Sequence, residues 1–435
     1  MHLVQQVLFI LCATGAIYIF AKKVSELRRN IMLGRPEDIN DRKSERWKNM
    51  VLLALGQKKM FKKPVPAILH LFVYAGFIIM NIEIFEIFLD GILGTHRLFE
   101  PILGGFYDVL IGFFEILAVL VLSGCLIFLI RRNIVKVPRL TMKELNGWPK
   151  EDANLILIME VILMTLFLTM NTADQALQFH GAEHPAPFWI TGHFIGIFSN
   201  CSDLTIMGVE RTCWWLHILG IFFFLNYIPY SKHFHIVLAF PNAYYSKLIP
   251  QGEIKNMPEI QNEVLYMMEP DKAPASTGSE PEHKRFGAKD VTDLSWKNLM
   301  DAYSCTECGR CTANCPANQT GKKLSPRKIM MDTRDRLEEV GKNINTNKEF
   351  KDDGKSLLND YITVEELRAC TTCQACVEAC PVMIDPLAII IQLRRNLVME
   401  ESSAPQEWNM MFGNIENNMA PWKFSPDDRD AWING

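Results

Sequence analysis

The chain carries little net charge with which to steer a partner. Its 45 Lys and Arg against 49 Asp and Glu leave −4 over 435 residues. It has no basic face interleaved with aromatics, because its lysines and arginines lie in loops beside apolar segments, and this excludes nucleic acid as a partner. No basic leader precedes the first apolar run. Lys22 and Lys23 follow that run instead, so 3–21 is expected to persist as a membrane segment and not to act as a secretory signal. Apolar residues make up 49% of the chain but thin out after about residue 245. A chain of this length divides into two or three domains.

What is present is cysteine in a particular order. Eight of the twelve cysteines form two copies of Cys-x2-Cys-x2-Cys-x3-Cys-Pro: Cys305, Cys308, Cys311 and Cys315, then Cys370, Cys373, Cys376 and Cys380. A [4Fe–4S] cluster needs four thiolates, and in this run the fourth cysteine ligates the other cluster. One cluster is therefore assigned to Cys305, Cys308, Cys311 and Cys380, and the second to Cys370, Cys373, Cys376 and Cys315. Zinc would need only two pairs per site and leaves the third and fourth cysteines of each motif unexplained. Pro316 and Pro381 turn the chain away after each motif. Such thiolates belong in a reducing compartment, so 300–385 is expected to be cytoplasmic.

Five apolar segments approach the ~20 residues a spanning helix needs: about 3–21, 66–89, 106–130, 153–170 and 213–240, the last interrupted by Asn226 and Pro229. Loop 22–65 holds thirteen Lys/Arg and loop 131–152 six, whereas 90–105 holds only Arg97 and 171–212 only Arg211. The positive-inside rule then puts the N-terminus outside and everything after the fifth helix inside. This agrees with the compartment argued from cysteine.

Histidines near the helix ends follow as candidate haem ligands. His70 and His235 fall at matching depth on antiparallel helices, and a neutral imidazole from each clamps a b-type haem. His217 lies near the other end of the fifth segment. The bland alternative for any one of them is hydrogen bonding within the bundle. Polar groups in lipid are costly and tend to be functional.

The stretch His217-Ile-Leu-Gly-Ile-Phe-Phe-Phe-Leu-Asn-Tyr-Ile-Pro-Tyr-Ser-Lys-His-Phe-His235 resembles the last helix of the respiratory nitrate reductase gamma-subunit family. That family carries two haem-ligating histidines at this separation, so the resemblance implies His235, in preference to His233, as the inner ligand. On the family's second helix two histidines stand ten residues apart. Here His70 matches the inner one, and the outer position is Met80. One haem on His70 and His235 is thus implied. A second on His217 stays open, with Met80 or His193 as its other ligand. A cytochrome b joined to twin clusters across an insert of about 55 residues is also similar to heterodisulfide reductase subunits. It is similar as well to oxidoreductases linking electron-transfer flavoprotein to menaquinone. Those proteins usually add Cys-Cys-Gly repeats, which this chain lacks, so a Cys-Cys-Gly subunit or electron-transfer flavoprotein is the implied soluble partner.

The expected fold is all-α. Residues 1–245 form a five-helix transmembrane haem b bundle, 246–294 a flexible cytoplasmic linker, 295–400 a small helical ferredoxin-like two-cluster domain, and 401–435 an aromatic tail laid against a partner. Helical spacing of Leu299, Ala302, Ile329, Met330, Leu337, Ile389 and Leu393 supports the cluster module. Lys322, Lys323, Arg327 and Lys328 read as a solvated loop or, less simply, a docking face. The tail's aromatics are Trp408, Phe412, Trp422, Phe424 and Trp432. Glu115 and Glu160, deep in their helices, are candidates for a proton relay or for pairing inside the bundle. Glu83, Glu86 and Asp108 read as interfacial. The outer loop 171–212, with His180, His184 and His193, reads as the roof of a quinone pocket, and Cys201 with Cys213 as a candidate disulfide. Cys12 and Cys125 read as small apolar residues in lipid.

The function expected is a subunit of the bacterial inner membrane, exchanging electrons among a cytoplasmic partner, two [4Fe–4S] clusters, haem b and the menaquinone pool. The competing readings are a quinol-oxidising anchor of a heterodisulfide reductase-like thiol/disulfide complex, and a non-catalytic iron–sulfur redox sensor.

Overall fold

The computed structural model describes residues 3–181, 188–250, 252–273, 285–423, 425–428 and 430–433. Among them every regular element is helical, and the only β-pairings are two isolated bridges. Five helices are long and apolar enough to cross a membrane. They are α1 (Leu3–Ile31), α2 (Pro64–Leu93), α3 (Gly105–Asn133), α4 (Trp148–Gly181) and α5 (Asp203–Tyr227). Large apolar side chains such as Phe85, Phe113, Ile162 and Phe223 stay exposed on the bundle surface. Hydrocarbon, which satisfies no backbone group, is the environment that both the unbroken helices and this apolar surface suit.

Local chemistry sets the ends. Pro64 opens α2 at a position whose N–H has no helical acceptor. Gly94, at φ 73°, closes it by donating to the Asp90 carbonyl. Close approach inside the bundle relies on small residues: a Cβ on Gly76 would sit 2.3 Å from Cγ2 of Val121, so α2 and α3 touch through a missing side chain.

The first span runs on to Ile31 instead of ending at 21, and the fourth and fifth spans and the linker also differ from the sequence expectation. The fourth is longer, because α4 continues through 171–181 and buries Asn171, Asp174 and Gln175 in place of a surface loop. The fifth starts at Asp203 and stops sooner. Pro229 lacks an N–H, the chain leaves helical geometry at Ser231, and a separate α6 (His235–Tyr244) carries the inner histidine. The linker is structured in part. It includes α7 (Pro258–Met268), and Ala288, Val291 and Leu294 are buried in the cysteine-rich half. The stretch 274–284 lies outside the described residues.

The cysteine-rich half includes α8 (Trp296–Ser304), α9 (Arg310–Ala313), α10 (Pro326–Asn347), α11 (Ala375–Ala379), α12 (Pro386–Arg395) and α13 (Gln406–Asn418). Leu299, Ala302, Ile329, Met330, Leu337, Ile389 and Leu393 are all buried, as their spacing predicts. Arg327 departs from the solvated-loop reading: its side chain is fully buried and paired with Glu144 at 2.8 Å. No residue of α13 is buried, and Trp408, Phe412, Trp422 and Trp432 are exposed. Phe424 falls outside the described residues.

This half sits on one end of the bundle. Asn30 Nδ2 donates to Tyr303 Oη at 3.1 Å, Arg35 N to the Leu294 carbonyl at 2.7 Å, and Asn242 Nδ2 to the Val382 carbonyl at 2.9 Å. The contacting bundle ends are those rich in lysine and arginine.

Candidate electron-transfer site

Both cysteine motifs fold the same way. In the first, Glu307 and Gly309 take left-handed φ of 55° and 71°; in the second, Thr372 and Gln374 take 58° and 60°. Three of these four positions are not glycine, and each such residue costs on the order of 1 kcal/mol. That cost is met twice, at equivalent positions, to wrap each loop so that backbone N–H groups face sulfur. Thr372 N donates to Cys370 Sγ at 3.4 Å and Ile384 N to Cys380 Sγ at 3.3 Å.

The cysteines fall into two groups that cross the motifs. Cys311 feels Cys305, Cys308 and Cys380 electrostatically, whereas Cys376 feels Cys370 and Cys315, and Cys370 feels Cys315 and Cys373. Cys311 also feels Cys376, so the two groups adjoin. Burial pushes the Cys305 thiol up to about 11 and that of Cys380 up to about 12. Without a cation these sulfurs would stay protonated, and iron held among four of them reverses that balance. In number and type, the eight free thiols match the four thiolates that each of two cubanes needs.

Charged side chains lock the first loop to the bundle. Arg139 Nη1 donates to the Cys308 carbonyl, and Arg310 Nη1 to the Lys59 and Met60 carbonyls at 3.4 Å each. Glu307, buried between Cys305 and Cys308, pairs with Lys232 and with Arg334 at 2.8 Å. Burial acts to raise the Glu307 carboxyl, but Arg334 and Lys232 outweigh it and hold it below the ordinary carboxylate value. It is therefore ionised.

Directly across this contact the bundle gathers histidines. His235 and Arg310 both act electrostatically on His70, and the ring of His233 lies 5.4 Å from that of His235. The Nδ1 of His70 meets Gln57 Oε1 at 3.1 Å, that of His235 the Lys232 carbonyl at 3.1 Å, and that of His217 the Leu163 carbonyl at 3.1 Å. A carbonyl oxygen only accepts, so Nδ1 carries the proton in each ring and Nε2 keeps its lone pair. This second bond is the one that orients a metal-binding imidazole. His217 stands apart near the middle of α5, because that helix begins at Asp203 and not at 213, and its ring lies 6.1 Å from that of Phe167. His193 is exposed and His184 lies outside the described residues.

Other sequence candidates are sorted by their partners. Glu115 accepts from Ile190 N at 2.9 Å, Thr191 N at 3.2 Å, Thr191 Oγ1 and Asn171 Nδ2 at 3.4 Å, so it anchors the 190–191 turn. Glu160 is buried mid-bundle near Cys125. Glu83 and Glu86 are buried between the helices toward the end of α2 that lies away from the cysteine motifs. Cys201 and Cys213 are both free thiols, so the candidate disulfide is absent. Lys232, Gln57, Arg139 and Arg310 were not singled out by sequence. Glu307 had one usable signal, its place inside a Cys-x-x-Cys.

Comparison with known proteins agrees with this geometry. The 4Fe-4S dicluster domain model matches residues 304–384. The chain is 28% identical over 454 residues to the probable iron-sulfur-binding oxidoreductase FadF of Bacillus subtilis, covering 98% of this chain and 60% of that protein. It is 28% identical over 426 residues to the EtfAB:quinone oxidoreductase of Syntrophomonas wolfei, covering 91% and 54% respectively. A shorter match, 34% over 108 residues, is to a subunit of the ferredoxin/F(420)H(2)-dependent CoB-CoM heterodisulfide reductase of Methanosarcina acetivorans, covering 25% of this chain and 53% of that protein. No solved structure matches the chain. The chain thus carries a dicluster iron–sulfur domain on a set of membrane-length helices, and its relatives are named oxidoreductases. It spans 60% or less of the length of the first two.

Proposed function

We propose that the chain is an oxidoreductase subunit of the bacterial cytoplasmic membrane, moving electrons between a soluble redox partner and menaquinone by way of two [4Fe–4S] clusters and haem b. The observation that carries it is the contact of the first cysteine loop with the histidine turn. The backbone of Lys232 orients His235, and its side chain pairs with Glu307 between two cluster cysteines. Haem supplies a one-electron site inside the lipid, and His70 with His235 would hold it. In this reading Cys305, Cys308, Cys311 and Cys380 ligate the cluster nearer the bundle, and Cys370, Cys373, Cys376 and Cys315 the one nearer the soluble partner. His217 is the candidate ligand for a second haem. The basic bundle ends and the cluster domain face the cytoplasm with the N-terminus outside. The soluble partner is an electron-transfer flavoprotein or a Cys-Cys-Gly subunit, in keeping with the name of the Syntrophomonas relative. Kinship with a heterodisulfide reductase subunit over 108 residues favours one second reading, the quinol-oxidising anchor of a thiol/disulfide complex.

Reduced-minus-oxidised optical spectra of the purified membrane protein test this. A b-type band that a menaquinone analogue re-oxidises, and that His70→Ala or His235→Ala abolishes, is the expected result. A protein with clusters and no haem band overturns it. The flavoprotein or Cys-Cys-Gly chain that co-purifies in mild detergent separates the two readings.

A further inference from the structure

At the end of the bundle away from the cluster domain, α2, α3, α4 and α5 enclose a cavity lined by Glu83, Glu86, Arg97, Tyr107, Asp174 and Trp214 among others. It offers about 40 Å³ to water centres, where one water needs roughly 10–15 Å³. A short file of waters fits, and a ring headgroup does not. Most of the acidic groups here are already held. Glu86 accepts from Tyr107 Oη at 2.9 Å and Phe99 N at 2.8 Å, Asp90 from Arg97 N at 2.9 Å, and Asp174 pairs with Arg97.

Glu83 is the exception. Its side chain lines the cavity at 6% exposure, and among the described residues no hydrogen bond or ion pair holds its carboxylate. A carboxyl so buried is costly unless it has work to do. The entrance is polar: the half-exposed His96 has Nε2 4.0 Å from Asp174 Oδ1.

The cavity also has a definite place along the bundle. Glu83 is one turn beyond Met80 on α2, Met170 one turn beyond Phe167 on α4, and Trp214 one turn beyond His217 on α5. The cavity therefore caps the layer that contains His217 and Phe167. On α3 it reaches Tyr107, whereas the loop after Asn133 meets the first cysteine motif through Arg139. That is roughly 40 Å of helix at 1.5 Å per residue.

We infer that this cavity is a proton-exchange port on the membrane face opposite the cluster domain, with Glu83 carrying the proton between cavity water and the bundle interior. The inference rests on the quinone reading. Quinone takes two electrons, fed through the clusters by the soluble donor, and two protons that convert its two carbonyls to hydroxyls. The port supplies those protons from the far side, so turnover moves charge across the bilayer.

The test uses the full chain with its cofactors in phosphatidylethanolamine/phosphatidylglycerol liposomes containing menaquinone, with a pH dye in the lumen. Dithionite added outside reduces the molecules whose cluster domain faces out. The lumen should turn alkaline by about one proton per electron. Glu83→Gln should cut both lumenal proton uptake and quinone reduction at least tenfold, with dithionite reduction of the bound cofactors unchanged. Wild-type uptake in Glu83→Gln, or protons drawn only from outside, overturns the port alone. No menaquinone reduction by the wild type overturns the parent reading and the port with it. Carbodiimide labelling of the unaltered protein is independent of folding in the variant. Glu83 should be modified and the fully bonded Glu115 spared, and an unlabelled Glu83 also overturns the port.

Discussion

Lys232 and Glu307 form an ion pair at the seam between the two halves, with only 9% and 3% of their side chains exposed. One partner follows the break in the fifth span, and the other sits between Cys305 and Cys308. The pair fixes the distance between the histidine turn and the first cysteine loop. Orphaning a buried charge costs about 3–5 kcal/mol. Glu307→Gln should fall at the lower end, because Asp152 Oδ2 still faces the ammonium at 3.8 Å. Thermal unfolding checks the stability. Stopped-flow reduction of the membrane centre by dithionite should be slower in this variant at unchanged iron content.

The crossed grouping of cysteines makes a prediction that an uncrossed one reverses. Cys380→Ala should damage the signal that Cys305→Ala damages, and Cys315→Ala the one that Cys373→Ala damages. Electron paramagnetic resonance of the reduced protein, with iron and sulfide analysis, checks this. Cys380→Ala pairing with Cys373→Ala instead would show each motif ligating its own cluster.

How much of this was legible before the structure depended on spacing. The cysteine motifs, the five apolar runs and the histidines at 70, 217 and 235 are patterns of residue type at fixed intervals, which sequence displays directly. The seam is different in kind. Lys232 and Glu307 are 75 positions apart, and nothing in either neighbourhood requires the other. Gln57 belongs to an ordinary basic loop and gains meaning only when folding places it against His70. Glu115 stands alone in an apolar run and Glu83 shares its run with Glu86 and Asp90, yet neither pattern tells what binds the carboxylate. Only the 190–191 turn, which returns to bind Glu115, distinguishes anchor from port. Arg327 sits among exposed lysines, and its burial follows from Glu144 on a loop of the other half.

Gln57 orients His70 without being a ligand itself. Removing such an outer partner typically costs 10–100-fold in affinity for what the histidine holds. Gln57→Leu should therefore lower haem retention by about that factor, and Gln57→Glu, which keeps the acceptor, should preserve most of it. His70→Ala should lose the pigment altogether. Haem-to-protein ratios after dilution in detergent, with a redox titration of what remains, separate the three. Equal retention in Gln57→Leu and wild type would mean that the hydrogen bond does not orient the ring.

The cysteine-rich domain is also clamped by Arg336, whose side chain is fully buried. Its guanidinium donates to Asp290 at 2.7 Å, to Asp353 at 2.6 and 2.9 Å and to the Lys355 carbonyl at 2.8 Å. This ties the segment before α8 and the loop after α10 to one point. Arg336→Met leaves Asp290 and Asp353 without their cation and should destabilise the domain by about 3–5 kcal/mol. The same pairing sets a pH dependence. The hydrogen bond from Arg336 holds the Asp353 carboxyl below its ordinary value. The unfolded chain therefore binds that proton first as pH falls. The contribution of Asp353 is complete above the ordinary aspartate range and is lost as acid approaches the lower folded value. Unfolding midpoints between pH 7 and about 3 should fall less steeply in Asp353→Asn than in wild type, and parallel curves would remove Asp353 from the account.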